Sequence, residues 1–70
     1  MGQQKKTVRD KVIEVLESAR GDPLKPKRIA EISGANYNSV RRVLYQLLSE
    51  GVVHRYMGGY ILSKYMIDGE

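Results

Sequence analysis

Among the 70 residues, the set with most chemistry to offer is Tyr37, Asn38, Ser39, Arg41, Arg42 and Tyr45. Arginine presents a planar fork of N–H donors that fits a phosphate or any edge bearing two adjacent acceptors, and an amide such as Asn38 donates and accepts side by side. The hydroxyls of Tyr37 and Ser39 can bond an anionic oxygen. This is the chemistry of recognition, not of bond breaking. No serine–histidine–aspartate set, phosphate-cradling glycine loop or histidine–carboxylate cluster occurs, and His54 is the sole histidine. We therefore expect no catalytic residue, no metal site, no cofactor and no enzyme. Glu14 and Glu17 lie about one turn apart, but a solvated helix face accounts for them.

The spacing of the recognition set puts most of it on one side of a helix. Val40, Val43, Leu44, Leu47 and Leu48 recur every three or four residues and form the opposite, buried stripe. Asn36 is placed to cap the first turn through its side-chain oxygen, and Gly51 to stop the helix in a left-handed conformation. The polar side has no acid between Asn36 and Ser49. An idle exposed face more often carries glutamate–lysine pairs.

The remaining elements must hold that helix in place. Residues 1–6 read as a flexible basic tail. Thr7 with Asp10 matches a capping box, and Val8, Val12, Ile13, Leu16 and Ala19 then give a buried stripe that runs a first helix to about Ala19. Arg20-Gly21-Asp22-Pro23 turns the chain. Leu24 and Lys25 are too short for a strand, but can pair with a later hairpin. Pro26 suits the first turn of a second helix, whose inward residues are Ile29, Ala30 and Ile32 and which Ser33-Gly34 closes. After Gly51, residues 52–57 and 60–63 are β-prone runs, and Gly58-Gly59 between them predicts a two-residue hairpin turn.

Composition narrows the partner. The net charge is +4, with 41% hydrophobic residues, no cysteine, no phenylalanine and no tryptophan. A chain of this size is one domain with a thin margin of stability, and its core must come from aliphatic residues and some of the five tyrosines. Neither disulfides nor thiolate metal sites are open to it. A pI near 9.6 favours a polyanionic partner. No apolar run approaches the roughly 20 residues that span a bilayer. The charges of Lys5 and Lys6 precede no apolar segment, and Lys6 stands where a myristoylation motif carries serine or threonine. A cytoplasmic protein without membrane contact is expected.

The order helix, short extended piece, helix, turn, helix, hairpin comes with recognisable residues. Ile29-Ala30-Glu31-Ile32-Ser33-Gly34, Asn38-Ser39-Val40-Arg41-Arg42-Val43-Leu44, Ser49-Glu50-Gly51-Val52-Val53 and Gly59-Tyr60-Ile61-Leu62 together resemble the winged helix-turn-helix superfamily over residues 7–63. The resemblance implies an α+β fold, a three-helix bundle with a C-terminal two-stranded β-hairpin, leaving 64–70 as a tail. It also implies double-stranded DNA as partner, since most members bind it, and a small transcriptional regulator as the role. The third helix, residues 36–50, would then read the major groove through Asn38, Arg41 and Arg42, with Tyr37 and Ser39 on phosphates. Arg55 would hold the backbone from the hairpin, with His54 or Tyr56 beside it. Lys27 and Arg28 would approach phosphates from the start of the second helix. Residues 41–45, Arg-Arg-Val-Leu-Tyr, also resemble the Asn-Arg-Val-Leu-Tyr of the branch that binds Z-form DNA, where the tyrosine packs on a base. Arg41 in place of asparagine, Tyr37 in place of lysine and the lack of a Pro-Pro-Trp hairpin depart from that branch. Tyr45 packing on the hairpin stays open beside it.

Two other readings accompany duplex binding. Winged helices also serve as protein-interaction modules, and the tyrosines suit stacking on RNA or single strands. Tyr65, Met66 and Ile67 form an apolar group that can serve a homodimer or cover the core. No small-molecule effector is expected, because the chain has no room for a sensing domain.

Overall fold

The computed structural model of the protein describes residues 7–66, so the basic segment 1–6 and Ile67 lie outside the described residues. Helix α1 (Val8–Ala19) starts at a complete capping box. The Thr7 hydroxyl accepts from the Asp10 amide at 3.1 Å, and the Asp10 carboxylate accepts from the Thr7 amide at 3.4 Å. Helix α2 (Pro26–Ser33) takes its proline in the first turn, and Lys25 before it supplies no side-chain cap. Helix α3 (Tyr37–Glu50) is capped by Asn36, whose Oδ1 accepts from the amides of Asn38 at 2.8 Å and Ser39 at 3.4 Å. Gly51 ends α3 in the left-handed conformation that its position predicted, and Gly34, which closes α2 as expected, is left-handed too.

Strands β1 (Val53–Tyr56) and β2 (Gly59–Leu62) form the antiparallel hairpin, with Tyr56 opposite Gly59. The turn is one residue earlier than the glycine pair suggested. Its two central residues are Met57 and Gly58, at φ 50° and 82°. Positive φ at both positions matches the twist of the flanking strands. Gly59 belongs to the strand for a different reason: a Cβ there would stand 2.7 Å from the Leu24 amide nitrogen. Leu24 and Tyr60 exchange backbone hydrogen bonds, at 3.2 Å from the Leu24 amide and 2.8 Å from the Tyr60 amide. Only a residue without a Cβ admits that approach. The short extended piece before α2 thus pairs with the hairpin, as its position suggested.

The core lies where the three helices and the inner side of the hairpin meet. Val12, Val15 and Leu16 come from α1, Ile29 and Ala30 from α2, and Val40, Leu44 and Leu47 from α3, closed by Val53, Tyr60 and Leu62. Full burial of one such aliphatic side chain contributes on the order of 1.5–3 kcal/mol. Tyr60, 8% exposed, brings an aromatic ring to this otherwise aliphatic core.

Both α1 and α2 correct the expected stripes. In α1, Val15 is buried, while Val8, Ile13 and Ala19 are only half-buried. In α2, Ile32 is 51% exposed and does not face inward. Ile29 and Ala30 are adjacent and both point to the core, which leaves Ile32 roughly a third of a turn off their line.

After β2 a 3₁₀ turn (Ser63–Tyr65) returns to α1. The Tyr65 hydroxyl donates to the Glu17 carbonyl at 3.3 Å, and Lys64 Nζ to the Glu17 carboxylate at 3.3 Å. Tyr65 therefore covers the end of α1. The whole is an α+β arrangement of three helices and a C-terminal two-stranded antiparallel hairpin, compatible with a winged-helix layout. Among the described residues, no helix is long and apolar enough to cross a membrane.

Candidate nucleic-acid interface

The exposed surface of α3 has two unlike strips. Along the edge facing the hairpin run Tyr37, Arg41 and Tyr45, four residues apart and therefore stacked one above another. Arg41 Nη2 donates to the Tyr45 hydroxyl at 2.9 Å. The Arg41 Cζ also lies 5.9 Å from the Tyr37 ring centroid and 5.7 Å from that of Tyr45, within cation–π range. The hydrogen bond to Tyr45, then the charges of Tyr45 and Tyr37, raise the Arg41 pKa above its ordinary value. It remains a cation.

Asn38 and Arg42 lie on the outer strip. Both are exposed, and neither side chain has a hydrogen bond or ion pair within the described residues. Ser39, half-buried in the first turn, stands at the margin of the strip. The one acid of α3, Glu50, is on neither strip. Its carboxylate receives the Arg9 guanidinium in a fork, at 2.7 and 3.1 Å, joining the end of α3 to the start of α1. Arg9 holds that carboxyl below the usual carboxylate range and is itself raised by it. The exposed surface of α3 away from α1 is left cationic.

The hairpin supplies the facing wall. The register sets Arg55 directly opposite Tyr60, on the strand face that Val53 buries. Arg55 and Tyr56 of β1, with Tyr60 of β2, then line a groove of about 570 Å³ against Tyr37, Arg41 and Tyr45 of α3. Pro26 and the Met57-Gly58-Gly59 tip complete its rim. Among the described residues, two arginines and no carboxylate line this groove. His54 is on the other side of the strand, with Nδ1 2.8 Å from Ser63 Oγ. Ser63 gives its one proton to the Gly51 carbonyl, so Nδ1 carries the hydrogen and donates. His54 thereby fastens the hairpin to the exit of α3.

The remaining predicted contacts divide. Lys27 shares a shallow depression of about 510 Å³ with Ala30, Glu31, Ala35 and Tyr37, beside the start of α3. Arg28 does not line it, and pairs with Glu31 at 3.4 Å. The structure thus gathers Tyr37, Arg41, Tyr45 and Arg55 around one groove, keeps Asn38 and Arg42 just outside it, and sets Lys27 at its Tyr37 end.

Sequence reasoning assigned Tyr56 only a place beside Arg55, and gave none to Pro26, Met57 or Tyr60. Alternation along β1 puts Arg55 on the side of Val53 but Tyr56 on the side of His54, so the place of Tyr56 in the lining, at the end of the strand, was not legible from spacing. Comparison with protein-family models, curated proteins and solved structures returns no match for this chain.

Proposed function

We propose that the protein is a duplex-DNA-binding module of the winged helix-turn-helix kind, acting as a small transcriptional regulator. The observation that carries this reading is the charge pattern of α3. Its outward surface bears Arg41, Arg42 and Asn38 and no acid, while Glu50 is consumed by Arg9 on the far edge. A single α-helix fits the major groove, and its side chains meet base edges there. Asn38 and Arg42, exposed and without a partner among the described residues, suit adenine and guanine edges respectively. Arg41 and Arg55, at the groove beside the hairpin, suit phosphates, and Lys27 extends the cationic surface toward the start of α2.

The test is selection of bound sequences from a random duplex pool at two salt concentrations. An enriched motif together with a falling affinity at higher salt is expected, because each phosphate contact releases counterions. Absence of any duplex affinity at low salt would falsify the reading. Affinity without an enriched motif would restrict it to phosphate attraction.

A further inference from the structure

We propose that the groove between α3 and the hairpin receives one unpaired nucleotide next to a DNA duplex, its base against the tyrosine rings and its phosphates on Arg41 and Arg55. The proposal rests on duplex binding by the outer strip of α3.

The walls define the chemistry of the occupant. Arg41 and Arg55 line the groove with no carboxylate beside them among the described residues, which suits an anionic occupant. Tyr37, Tyr45 and Tyr56 line it and are 45%, 54% and 44% exposed, so the groove also offers aromatic surface to an occupant with a flat face. A nucleotide combines the two. The intact B-form duplex does not: its base faces are covered by their own stack, and only edges reach the grooves. An unpaired base has both faces free, and stacks on aromatic side chains irrespective of its sequence.

Arg41 adds a prepared surface. Its guanidinium is held by the Tyr45 hydroxyl and lies against both tyrosine rings. One donor is used in this way, and the others remain for a phosphate. Holding the group in place beforehand removes part of the ordering cost of binding. The position follows as well. The groove and the strip that carries Asn38 and Arg42 share α3, so a strand leaving a duplex held on that strip is within reach of the groove.

The experiment measures binding of the full chain by fluorescence anisotropy. The probes are one duplex in blunt form, with a three-nucleotide overhang, and with the same overhang made abasic. The base-bearing overhang is expected to bind roughly 5- to 100-fold tighter than the blunt form, as one to a few stacked bases provide. The abasic overhang should return to near the blunt value. In Tyr56→Leu the ratio of overhang to blunt affinity falls toward one, whereas Tyr56→Phe, which keeps the ring, retains it. Equal binding of blunt and overhanging duplex overturns the groove proposal and leaves the duplex reading standing. An abasic overhang as good as the natural one, or a ratio unchanged in Tyr56→Leu, also overturns it. No binding to any probe removes both.

Discussion

Arg41 and Arg42 are neighbours in the chain, yet they occupy opposite situations. Arg41 is locked on the hairpin-side strip by two tyrosines, and Arg42 stands free on the outer strip within the described residues. An unrestrained arginine gives up about 2 kcal/mol of rotamer freedom when it is fixed. A held one has lost much of that before any ligand arrives, but reaches fewer positions. The locked strip is therefore matched to a group whose place is the same in every target, such as a phosphate or a stacked base. The free strip is matched to groups whose place varies with sequence. Preorganisation and adaptability sit side by side on one helix.

The change that tests both strips together has the largest expected effect. Leu44 is buried on the core side of α3, beneath them. Leu44→Ala should cost about 2–5 kcal/mol in urea unfolding, and should weaken every binding activity together. A loss below about 1 kcal/mol would mean that the core does not hold α3 as described.

Gly59→Ala should separate the strips. The added Cβ meets the Leu24 backbone, and overpacking of this kind costs about 1–3 kcal/mol. The hairpin shifts, so contacts in the groove suffer while Asn38 and Arg42 keep their places. Faster hydrogen exchange at the Leu24 and Tyr60 amides is the structural readout. Unchanged exchange would show that the Leu24 pairing does not depend on the glycine.

The arginines themselves give the next contrast. Arg42→Ala should lose about 1–3 kcal/mol of specific binding and relax preference at one base position. Arg41→Ala should lower affinity by a similar factor on all sequences and flatten the salt dependence. Interchanged outcomes would reverse the assignment of the strips.

The smallest effect concerns the third edge of α3. Arg9 lowers the Glu50 carboxyl, so the pair stabilises the fold above the ordinary carboxylate range. That contribution is lost as pH falls through the depressed value. Glu50→Gln should lower the melting temperature slightly at neutral pH and not in strong acid, and added salt should shrink the difference. An identical difference at both pH values would exclude the ion pair as its source.

The legible parts of the fold are those with a local cause. Thr7 and Asp10 announce α1, Pro26 opens α2, and Asn36 and Gly51 bracket α3, because each acts on backbone groups only a few residues away. Ile32 misled for the complementary reason. In a helix of eight residues the apolar pattern is too short to fix the inward direction, and the partners of Ile29 and Ala30 decide it. The glycine pair at 58–59 was legible as a turn but not in register, since Gly59 answers to Leu24, thirty-five residues away.

The candidate site divides in the same way. The amino-acid sequence by itself determined that α3 has a cationic, acid-free side carrying Asn38, Arg41 and Arg42, since helical spacing alone assigns residues to a side. It also determined the presence of an antiparallel hairpin after Gly51. Only the tertiary structure decided that Arg55 and Tyr56 line one groove with Tyr37, Arg41 and Tyr45, and that Arg9 removes Glu50 from that surface. Spacing acts through a regular backbone over one or two turns. A groove depends on the angle between elements, and the packing of Leu44, Val53 and Tyr60 in a shared core sets that angle.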